Sequence, residues 1–350
     1  MKILIIVPDL PPDEVGGTEL FTKDLADNLA KVGHQVVILT TGKKRIEKTN
    51  NLTIIRTKKM FKNRILYNIQ ELLYFIKETL KLNPDIIVGH MITSSGAAAI
   101  ISAKIKRKTV VLRLSGCEMR FSKYIKQFIL KPLLKLSDGI ITINAKMKQE
   151  VELLTKHKNV VYLPQGFTNI KEEIKKKNTD GKRILSVGRL VSFKNYPLLL
   201  KIARIMPEYN FTIIGEGEER EKLEINTPSN VEFKGKQTPQ EVIKDMYNSD
   251  VFVNTSVLEP FGRTLLEAMS CGLPLIAMNK GGPKSIIIND RNGYLIEKPN
   301  AQEFADKIKK AIKNNEEIYI NNLKDIEKYY WNNLIGDYVS FYKKSKKKKS

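Results

Sequence analysis

The feature that most constrains the fold is a regular alternation of short apolar runs with longer amphipathic runs, which begins at the N-terminus and begins again at Arg183. Short apolar runs are typical of buried strands, and strands separated by helices predict βαβ units in parallel sheets. We therefore expect an α/β protein with two Rossmann-like halves. Ligands of such sheets bind outside the carboxyl ends of the strands, so candidate site residues should follow the strands directly.

The predicted elements divide into two sets. In the first half, the predicted strands are Ile3–Val7, Val36–Thr40, Ile54–Arg56, Ile86–Val88, Val110–Leu114 and Gly139–Ile143, and the predicted helices are Gly17–Lys31, Asn63–Leu82 and Lys123–Leu136. In the second half, strands are predicted from Arg183 and at Asn210–Ile214, Val231–Phe233, Val251–Asn254, Leu275–Ala277 and Tyr294–Ile296, with helices at Pro197–Met206, Pro239–Asn248, Thr264–Ser270 and Ala301–Asn314.

The 350 residues are enough for two domains with cores of their own. We predict a first domain over residues 1–168, a charged linker over 169–182 that closes on Asp-Gly, and a second domain over 183–323. The run 324–342 is aromatic and amphipathic, and residues 343–350 form a basic tail.

Positive charge is the unusual bulk property of the chain. Sixty basic and 38 acidic residues give a net charge of +22, and residues 1–168 alone hold 28 basic and 14 acidic side chains. Such a field favours an acidic partner, which could be an anionic lipid, a phosphorylated acceptor or a nucleic acid. A lysine-rich composition with no specific partner explains the same excess equally well.

The two cysteines, Cys117 and Cys271, have no metal-ligand spacing and indicate a reducing compartment. The apolar run at the N-terminus is too short for a signal peptide, and no segment has the roughly 18 apolar residues that a bilayer span requires. We therefore expect a cytoplasmic protein.

The most informative motif is Glu259-Pro-Phe-Gly-Arg-Thr-Leu-Leu-Glu267, which follows the predicted strand Val251–Asn254. Glu259 lies at the strand end, and Glu267 lies about two turns into the next helix. The free N–H groups and the dipole of a helix start favour anions and hydroxyl-rich ligands, and a carboxylate beside them can bind sugar hydroxyls. Two glutamates that only stabilise a helix start are the alternative.

Together with its flanks and with Gly281-Gly-Pro and Asn292-Gly-Tyr-Leu-Ile, this motif closely resembles the donor-binding half of retaining GT-B glycosyltransferases of family 4, the glycogen-synthase-like group. The resemblance extends over nearly the whole chain and is strongest over residues 183–296. It implies two facing Rossmann-like domains with a cleft between them, and a last helix, within 324–342, that crosses back onto the first domain.

Three further motifs fit this resemblance. Gly188-Arg-Leu-Val-Ser-Phe-Lys supplies Arg189 and Lys194, two cations that can neutralise a leaving diphosphate without a metal. Gly16-Gly17 follows the first strand and opens a helix, where glycines let a phosphate approach closely, although ordinary turns use the same pair. His90 ends a strand and resembles the family histidine that contacts the transferred sugar; a structural histidine is the alternative.

The resemblance assigns a role to each residue. Glu267 would bind the ribose hydroxyls, and Glu259 would bind the sugar, with backbone N–H groups around Phe261 and Gly262. Arg263 belongs to the same donor-binding turn. Arg189 and Lys194 would stabilise the departing diphosphate, and His90 would contact the sugar from the first domain. No metal or other cofactor is expected. Gly215-Glu-Gly-Glu-Glu-Arg220 lacks the third glycine of a dinucleotide fingerprint and is given no catalytic role.

The chain departs from the family pattern at two places. Leu114-Ser-Gly-Cys stands where the family often has His-Asp or His-Gly, which concerns the acceptor site. Ser285 replaces the glutamate of the Gly-Gly-x-x-Glu pattern, which concerns the donor loop.

The run Lys123–Leu136 can place apolar residues on one side of a helix and lysines on the other. A basic amphipathic helix indicates a membrane interface, and together with the tail it predicts peripheral binding to an anionic leaflet. A core-packing helix with snorkelling lysines is an equally good interpretation.

These observations predict a retaining transferase that moves a hexose-type sugar from a nucleotide-diphosphate donor to a glycan or lipid-linked acceptor, in the synthesis of cell-surface polysaccharide or glycolipid. A nucleotide-sugar epimerase of the same fold is one alternative. A basic nucleic-acid-binding protein is another, but no recognition motif supports nucleic acid as a partner.

Overall fold

The computed structural model describes residues 1–13, 16–43, 45–58, 63–116, 118, 121–168 and 180–347. These residues form two compact units, each with its own sheet and core. Unit 1 contains residues 1–168 and 329–347, and unit 2 contains residues 180–328, in both cases as far as they are described. The predicted linker lies mostly outside the described residues, since 169–179 are not among them.

Unit 1 is built on an eight-stranded sheet of order β3-β4-β2-β1-β5-β6-β7-β8, in which only β3 runs antiparallel to its neighbour. Buried aliphatic side chains fill the central strands, as expected for a sheet covered on both faces. The strands are β1 Lys2–Ile6, β2 Gln35–Thr41, β3 Arg45–Lys48, β4 Leu52–Thr57, β5 Ile86–His90, β6 Thr109–Arg113, β7 Gly139–Thr142 and β8 Val160–Tyr162.

The helices of the unit 1 sequence connect these strands. Two begin at asparagines whose side chains accept from the first free N–H groups: Asn63 caps α2 and Asn144 caps α6. The helices are α1 Gly17–Lys31, α2 Arg64–Lys81, α3 Ser94–Lys106, α4 Lys123–Ile125, α5 Lys131–Lys135 and α6 Ala145–Thr155, and a π-helical segment, Lys126–Leu130, joins α4 to α5.

Unit 2 has a six-stranded parallel sheet of order β11-β10-β9-β12-β13-β14. Its strands are β9 Arg183–Val187, β10 Asn210–Ile214, β11 Val231–Gly235, β12 Val251–Asn254, β13 Leu275–Met278 and β14 Gly293–Ile296. Its helices are α7 Tyr196–Ile205, α8 Arg220–Ile225, α9 Pro239–Tyr247, α10 Arg263–Ser270, α11 Pro283–Ile286, α12 Ala301–Lys313 and α13 Asn315–Asp325.

The last helix, α14 (Trp331–Lys347), belongs to unit 1. It packs against α1, where Trp331 and Tyr338 lie 5.6 Å and 6.2 Å from Phe21 between ring centres. Tyr338 also donates a hydrogen bond of 2.8 Å to the carbonyl oxygen of Pro164. The helix continues to Lys347, five residues into the predicted tail, because Ser345 is buried and bonds to Asn159 and Phe341.

The predicted α/β class with two Rossmann-like parallel sheets is confirmed. Every strand and helix predicted between residues 1 and 314 is present, with ends that differ by up to two residues, except that the continuous helix predicted over 123–136 contains the π-helical segment. The last helix, predicted within 324–342, begins at Trp331 and ends at Lys347. Sequence patterns missed several elements: β3, β8, α3, α6, α8, α11 and α13. β3 is a short edge strand that pairs only with β4, so it has no buried apolar run to reveal it. None of the helices in the described ranges combines the length and hydropathy that crossing a bilayer requires.

Candidate active site

The predicted donor-side residues lie at the carboxyl edge of the unit 2 sheet, where the strand order reverses. β9 and β12 are neighbours, but β9 also pairs with β10 and β12 also pairs with β13. The loops after these two strands therefore diverge, and a ligand crevice forms at such a switch point. Lys194 lies in the loop after β9, and Glu259 lies in the loop after β12.

An ion pair joins the two loops. Lys194 Nζ lies 2.5 Å from Glu259 Oε2, and Asn254 Nδ2 donates a hydrogen bond of 3.3 Å to the same oxygen. The side chains of Lys194 and Glu259 are only 17% and 10% exposed, so water screens their attraction less than at an open surface. Asn254 was not among the predicted site residues, and its only signal was a polar side chain at the end of an apolar strand.

Backbone contacts fix the position of Lys194. Residues Ser192–Lys194 form a single 3-10 turn. The Thr255 hydroxyl donates to the carbonyl oxygen of Lys194 at 3.0 Å, and the Val257 N–H donates to the carbonyl oxygen of Phe193 at 3.0 Å. Because both donors follow β12, they tie the two site loops together and hold the ammonium group in place before any ligand binds.

Gly262 separates the two glutamates of the motif and leads directly into α10. Its φ of 98° lies in the left-handed region that favours glycine. Arg263 is the first residue of α10, and its Nε donates a hydrogen bond of 3.3 Å to Oε1 of Glu267, one turn further along the helix. The two glutamates thus differ in their partners, since Glu259 pairs with a lysine of another loop and Glu267 with an arginine of its own helix. Phe261 is buried, so its ring anchors the turn.

The glycine pair Gly281–Gly282 supports this turn from beneath. The Gly282 N–H donates to the carbonyl oxygen of Glu259 at 2.8 Å. A Cβ on Gly282 would lie 1.9 Å from the carbonyl oxygen of Phe261, and one on Gly281 would lie 2.3 Å from that of Glu259. Two backbones can approach this closely only where side chains are absent. The two glycines are therefore needed for the shape of the Glu259 turn. This role does not depend on the last position of the Gly-Gly-x-x-Glu pattern, where this chain has Ser285.

Arg189 is the second cation of the β9 loop. Its side chain is exposed, and within the described ranges no hydrogen bond or ion pair involves its guanidinium group. The surrounding backbone is fixed, because Tyr196 donates to the carbonyl oxygen of Gly188 at 3.1 Å and the Leu190 N–H donates to that of Glu216 at 2.8 Å. Arg189 is therefore an accessible cation on a rigid loop, available to an anionic ligand.

The turn Gly215-Glu216-Gly217 packs against this loop. A Cβ on Gly215 would lie 1.9 Å from the carbonyl oxygen of Gly188, and one on Gly217 would lie 2.3 Å from that of Leu190. Its glycines therefore serve the close packing of two loops, in keeping with the absence of a predicted catalytic role.

Unit 1 has its own switch point, between β1 and β5. α1 begins at Gly17 in the connection after β1, and His90 is the last residue of β5. Among the described residues, a Cβ on Gly17 would meet no heavy atom within 4 Å, whereas one on Gly16 would meet the flexible carboxylate of Glu19. The fold itself does not require glycine at position 17, but a ligand that approaches the backbone closely would.

His90 is completely buried, and its hydrogen bonds assign its tautomer. Thr22 Oγ1 donates its single proton to the carbonyl oxygen of Thr18 at 2.7 Å, so it accepts from His90 Nδ1–H, also at 2.7 Å. Nε2 then carries the lone pair, and in the described part of the chain it has no hydrogen-bond partner. Contact between His90 and a sugar, as the resemblance implies, would require the groups over Nε2 to move aside.

Arg113 lies beside His90 on the next strand and was not predicted as a functional residue. It is the register partner of His90, and its guanidinium carbon lies 3.6 Å from the centre of the Phe21 ring. Burial lowers the pKa of His90 well below its ordinary value, and Arg113 lowers it further, so the imidazole stays neutral. The sequence signal was an arginine within an apolar strand.

Comparison with known proteins identifies the family of the chain. Two family models match the chain: glycosyltransferase family 4 over residues 15–168 and glycosyl transferases group 1 over residues 167–329. An uncharacterized glycosyltransferase of Haemophilus influenzae is 25% identical over 317 residues, which covers 87% of this chain and 89% of the relative.

Two solved structures show the same fold. Sucrose-phosphate synthase of Thermosynechococcus elongatus aligns with a TM-score of 0.81 at 17% identity over 98% of both chains. HepE of Anabaena, in complex with UDP and glucose, aligns with a TM-score of 0.77 at 17% identity over 97% of this chain and 98% of its own. The fold, the motif at the unit 2 switch point and the two family matches together show that this chain is an enzyme with the GT-B fold that belongs to the glycosyltransferases of family 4 and group 1.

Proposed function

We propose that the protein transfers a hexose-type sugar, with retention of anomeric configuration, from a nucleotide-diphosphate donor to a hydroxyl of a glycan or lipid-linked acceptor. The observation that carries this proposal is the Lys194–Glu259 pair at the unit 2 switch point, with the exposed Arg189 in the same loop as Lys194. Cations and a carboxylate within one crevice match a ligand that carries both a diphosphate and sugar hydroxyls.

Each residue has a role in this mechanism. Arg189 and Lys194 stabilise the negative charge that builds on the diphosphate as its bond to the sugar breaks. Glu259 accepts hydrogen bonds from sugar hydroxyls and orients the ring, and backbone N–H groups at Phe261 and Gly262 assist it. Glu267 accepts from the ribose hydroxyls, with Arg263 orienting it. Because side-chain cations neutralise the leaving group, the reaction requires no metal.

A uridine nucleotide is the first donor to test, since the HepE structure contains UDP and glucose. UDP that binds the folded protein raises the melting temperature by mass action, and the rise grows with UDP concentration. We expect Lys194→Ala to lower turnover of the sugar nucleotide by about 10²–10³, as removal of a preorganised charge does elsewhere, with little change in melting temperature. Lys313→Ala, an exposed lysine at the end of α12, is the matched control. Near wild-type turnover of Lys194→Ala would refute the phosphate role.

Two further measurements test the remaining parts of the proposal. The anomeric proton signal of the product reports retention or inversion, and an inverted product contradicts the proposed mechanism. Activity that survives dialysis against EDTA supports transfer without a metal, whereas activity that returns only with added divalent ions contradicts it.

Incubation of the donor without an acceptor separates transfer from epimerisation. A transferase hydrolyses the sugar nucleotide slowly at most, whereas an epimerase converts it to a different sugar. A gel-shift titration with DNA at several salt concentrations tests the nucleic-acid alternative, for which we expect only weak, salt-sensitive binding.

We place the reaction at the cytoplasmic face of the membrane, in the synthesis of cell-surface polysaccharide or glycolipid. The excess of basic residues in 1–168 supports an acceptor that is anionic or is presented at an anionic surface.

A further inference from the structure

The helices of unit 1 are divided between the two faces of its sheet. From β4 onward the chain moves across the sheet in one direction, through β5, β6, β7 and β8. Right-handed crossovers therefore place α2, α3, the segment 123–135 and α6 on one face. α1 and α14 pack together on the other face. The first set is called the outer helical face below.

α2 has apolar residues on two opposite sides. One side buries Phe75 and Thr79 against the sheet. The other side presents Ile65, Ile69 and Leu73, which are spaced four residues apart and are 70%, 50% and 61% exposed. An amphipathic helix that packed only on its own sheet would carry polar residues there. This second apolar stripe is therefore unexplained by the folding of unit 1.

The neighbouring helix continues the apolar surface. α3 packs along α2 and carries Ile101 and Ile105, which lie one turn apart and are both exposed. Most of the exposed large apolar side chains within the described ranges lie on the outer helical face. Exposed apolar side chains gathered on neighbouring helices are typical of an interaction site.

The segment 123–135 combines features of the two interpretations that its sequence allowed. Leu130 and Leu134 are buried, as a core-packing helix requires. Tyr124 and Phe128, however, point outward with 70% and 63% exposure, and their ring centres lie 4.6 Å apart. The π-helical segment Lys126–Leu130 adds a residue to this turn, a distortion that is often found at functional sites.

The charges around these apolar residues are almost all positive. Lys123, Lys126, Lys131 and Lys135 lie along the aromatic segment, and residues 121–136 contain no acidic residue. On α2, Glu71 is buried and Glu78 pairs with Lys81 at 2.7 Å. Four basic residues, 104 and 106–108, lie at and just beyond the end of α3. Apolar side chains edged by lysines suit a bilayer interface with anionic headgroups.

We propose that the outer helical face of unit 1 docks on an anionic lipid surface, with the α2 stripe and the aromatic pair of segment 123–135 inserted among the headgroups. A second copy of this chain is a poorer occupant, because a symmetric contact would bring the lysines of both copies together. The inference deepens the proposed function, since docking through this face would bring the enzyme to a lipid-linked or membrane-proximal acceptor.

Vesicle flotation tests the proposal. Vesicles of phosphatidylcholine and phosphatidylglycerol in a three-to-one ratio should recover the protein, and recovery should fall with salt, whereas vesicles of phosphatidylcholine alone should recover little. We expect the double variants Tyr124→Ser/Phe128→Ser and Ile69→Ser/Leu73→Ser each to weaken binding about tenfold, because each removes two insertable side chains. These side chains are exposed, so the variants should fold.

The matched control is Ile225→Ser/Ile320→Ser, which removes two equally exposed apolar residues from unit 2 and should leave recovery unchanged. A chain that ends at residue 347 separates the contribution of the last three residues. The proposal is overturned if the wild type does not float with anionic vesicles, or if both double variants float as well as the control. Self-association in sedimentation that the double variants abolish would assign the face to a second copy instead. Binding of UDP by the same variants is measured separately, so failure of the proposed donor chemistry and failure of docking are distinguishable.

Discussion

Replacement of Glu259 by glutamine should make the protein bind UDP more tightly while it loses turnover. In the structure Lys194 Nζ contacts the Glu259 carboxylate at 2.5 Å. A diphosphate that binds Lys194 must therefore compete with that carboxylate. Glutamine keeps the size of the side chain but removes its charge, so Lys194 is released for the diphosphate, and sugar binding through the carboxylate is lost.

The expected change in the Kd for UDP depends on how far the Lys194 and Glu259 side chains are buried. Exposed pairs contribute roughly 0.2–1 kcal/mol, and removing one partner of a fully buried pair costs about 3–5 kcal/mol. With exposures of 17% and 10%, Lys194 and Glu259 lie between these limits, near the exposed end after allowance for solvent. We take about 1.4 kcal/mol, which corresponds to about a tenfold lower Kd for UDP.

Isothermal titration of UDP into five proteins isolates this coupling: the wild type, Glu259→Gln, Lys194→Ala, the double variant and Glu216→Gln as the control. Glu216→Gln removes the same charge from a neighbouring loop, where the carboxylate pairs with Arg220, and should change the Kd little. In the Lys194→Ala variant, Glu259→Gln should have no further effect on the Kd for UDP, because the cation for which the carboxylate and the diphosphate compete is gone. An equal gain with and without Lys194 would mean that net charge alone explains the change and would refute the reasoning. If UDP binds none of the proteins, the donor assignment itself is wrong.

Three other substitutions have definite expected outcomes. Gly282→Ala should lower the free energy of unfolding by about 1–3 kcal/mol and reduce turnover, since its Cβ would lie 1.9 Å from the carbonyl oxygen of Phe261; circular dichroism melts measure the first effect. Gly17→Ala should leave stability unchanged, because no heavy atom of the described residues would lie within 4 Å of the new Cβ, but should weaken UDP binding if the diphosphate approaches that backbone. His90→Gln should remove part of the acid sensitivity of folding: the buried imidazole has a lowered pKa, so the unfolded chain takes up a proton first, and wild-type stability falls by about 1.4 kcal/mol per pH unit below pH ~6.5 until the folded-state pKa is reached. Urea melts of both proteins between neutral and mildly acid pH, with His157→Gln as the control, test this, and parallel curves for wild type and His90→Gln would contradict it.

The fold was largely predictable from sequence because buried apolar residues recur with the period of the helix or strand that contains them. Strands with two covered faces, such as β12, appear as short apolar runs, and the outward polar side of α1 marks its whole length. β3 and β8 have no such pattern, since they lie at the edges of the sheet and no residue of either strand is fully buried.

The positions of candidate site residues were predictable where a charged side chain lies in the loop after a strand, as Lys194 and Glu259 do. Long-range contacts left no signal of this kind. The bond from Asn254 to Glu259 and the support of the Glu259 turn by Gly282 depend on loops that meet only in the folded sheet. The proximity of Arg113 to His90 depends on the pairing of β5 with β6.

The return of α14 to unit 1 has a consequence for the synthesis of the chain. Trp331, Tyr338 and Tyr342 complete the same core as Phe21 and the first strands, yet they are translated last. At elongation rates of about 5–20 residues per second, on the order of ten seconds separate the completion of residue 168 from that of α14. During that time the surface of α1 and of the sheet against which α14 packs is without its permanent cover, while unit 2 can fold as soon as it emerges. We therefore expect nascent chains to expose an apolar surface that chaperones can bind, and the later-made unit to reach its native state first.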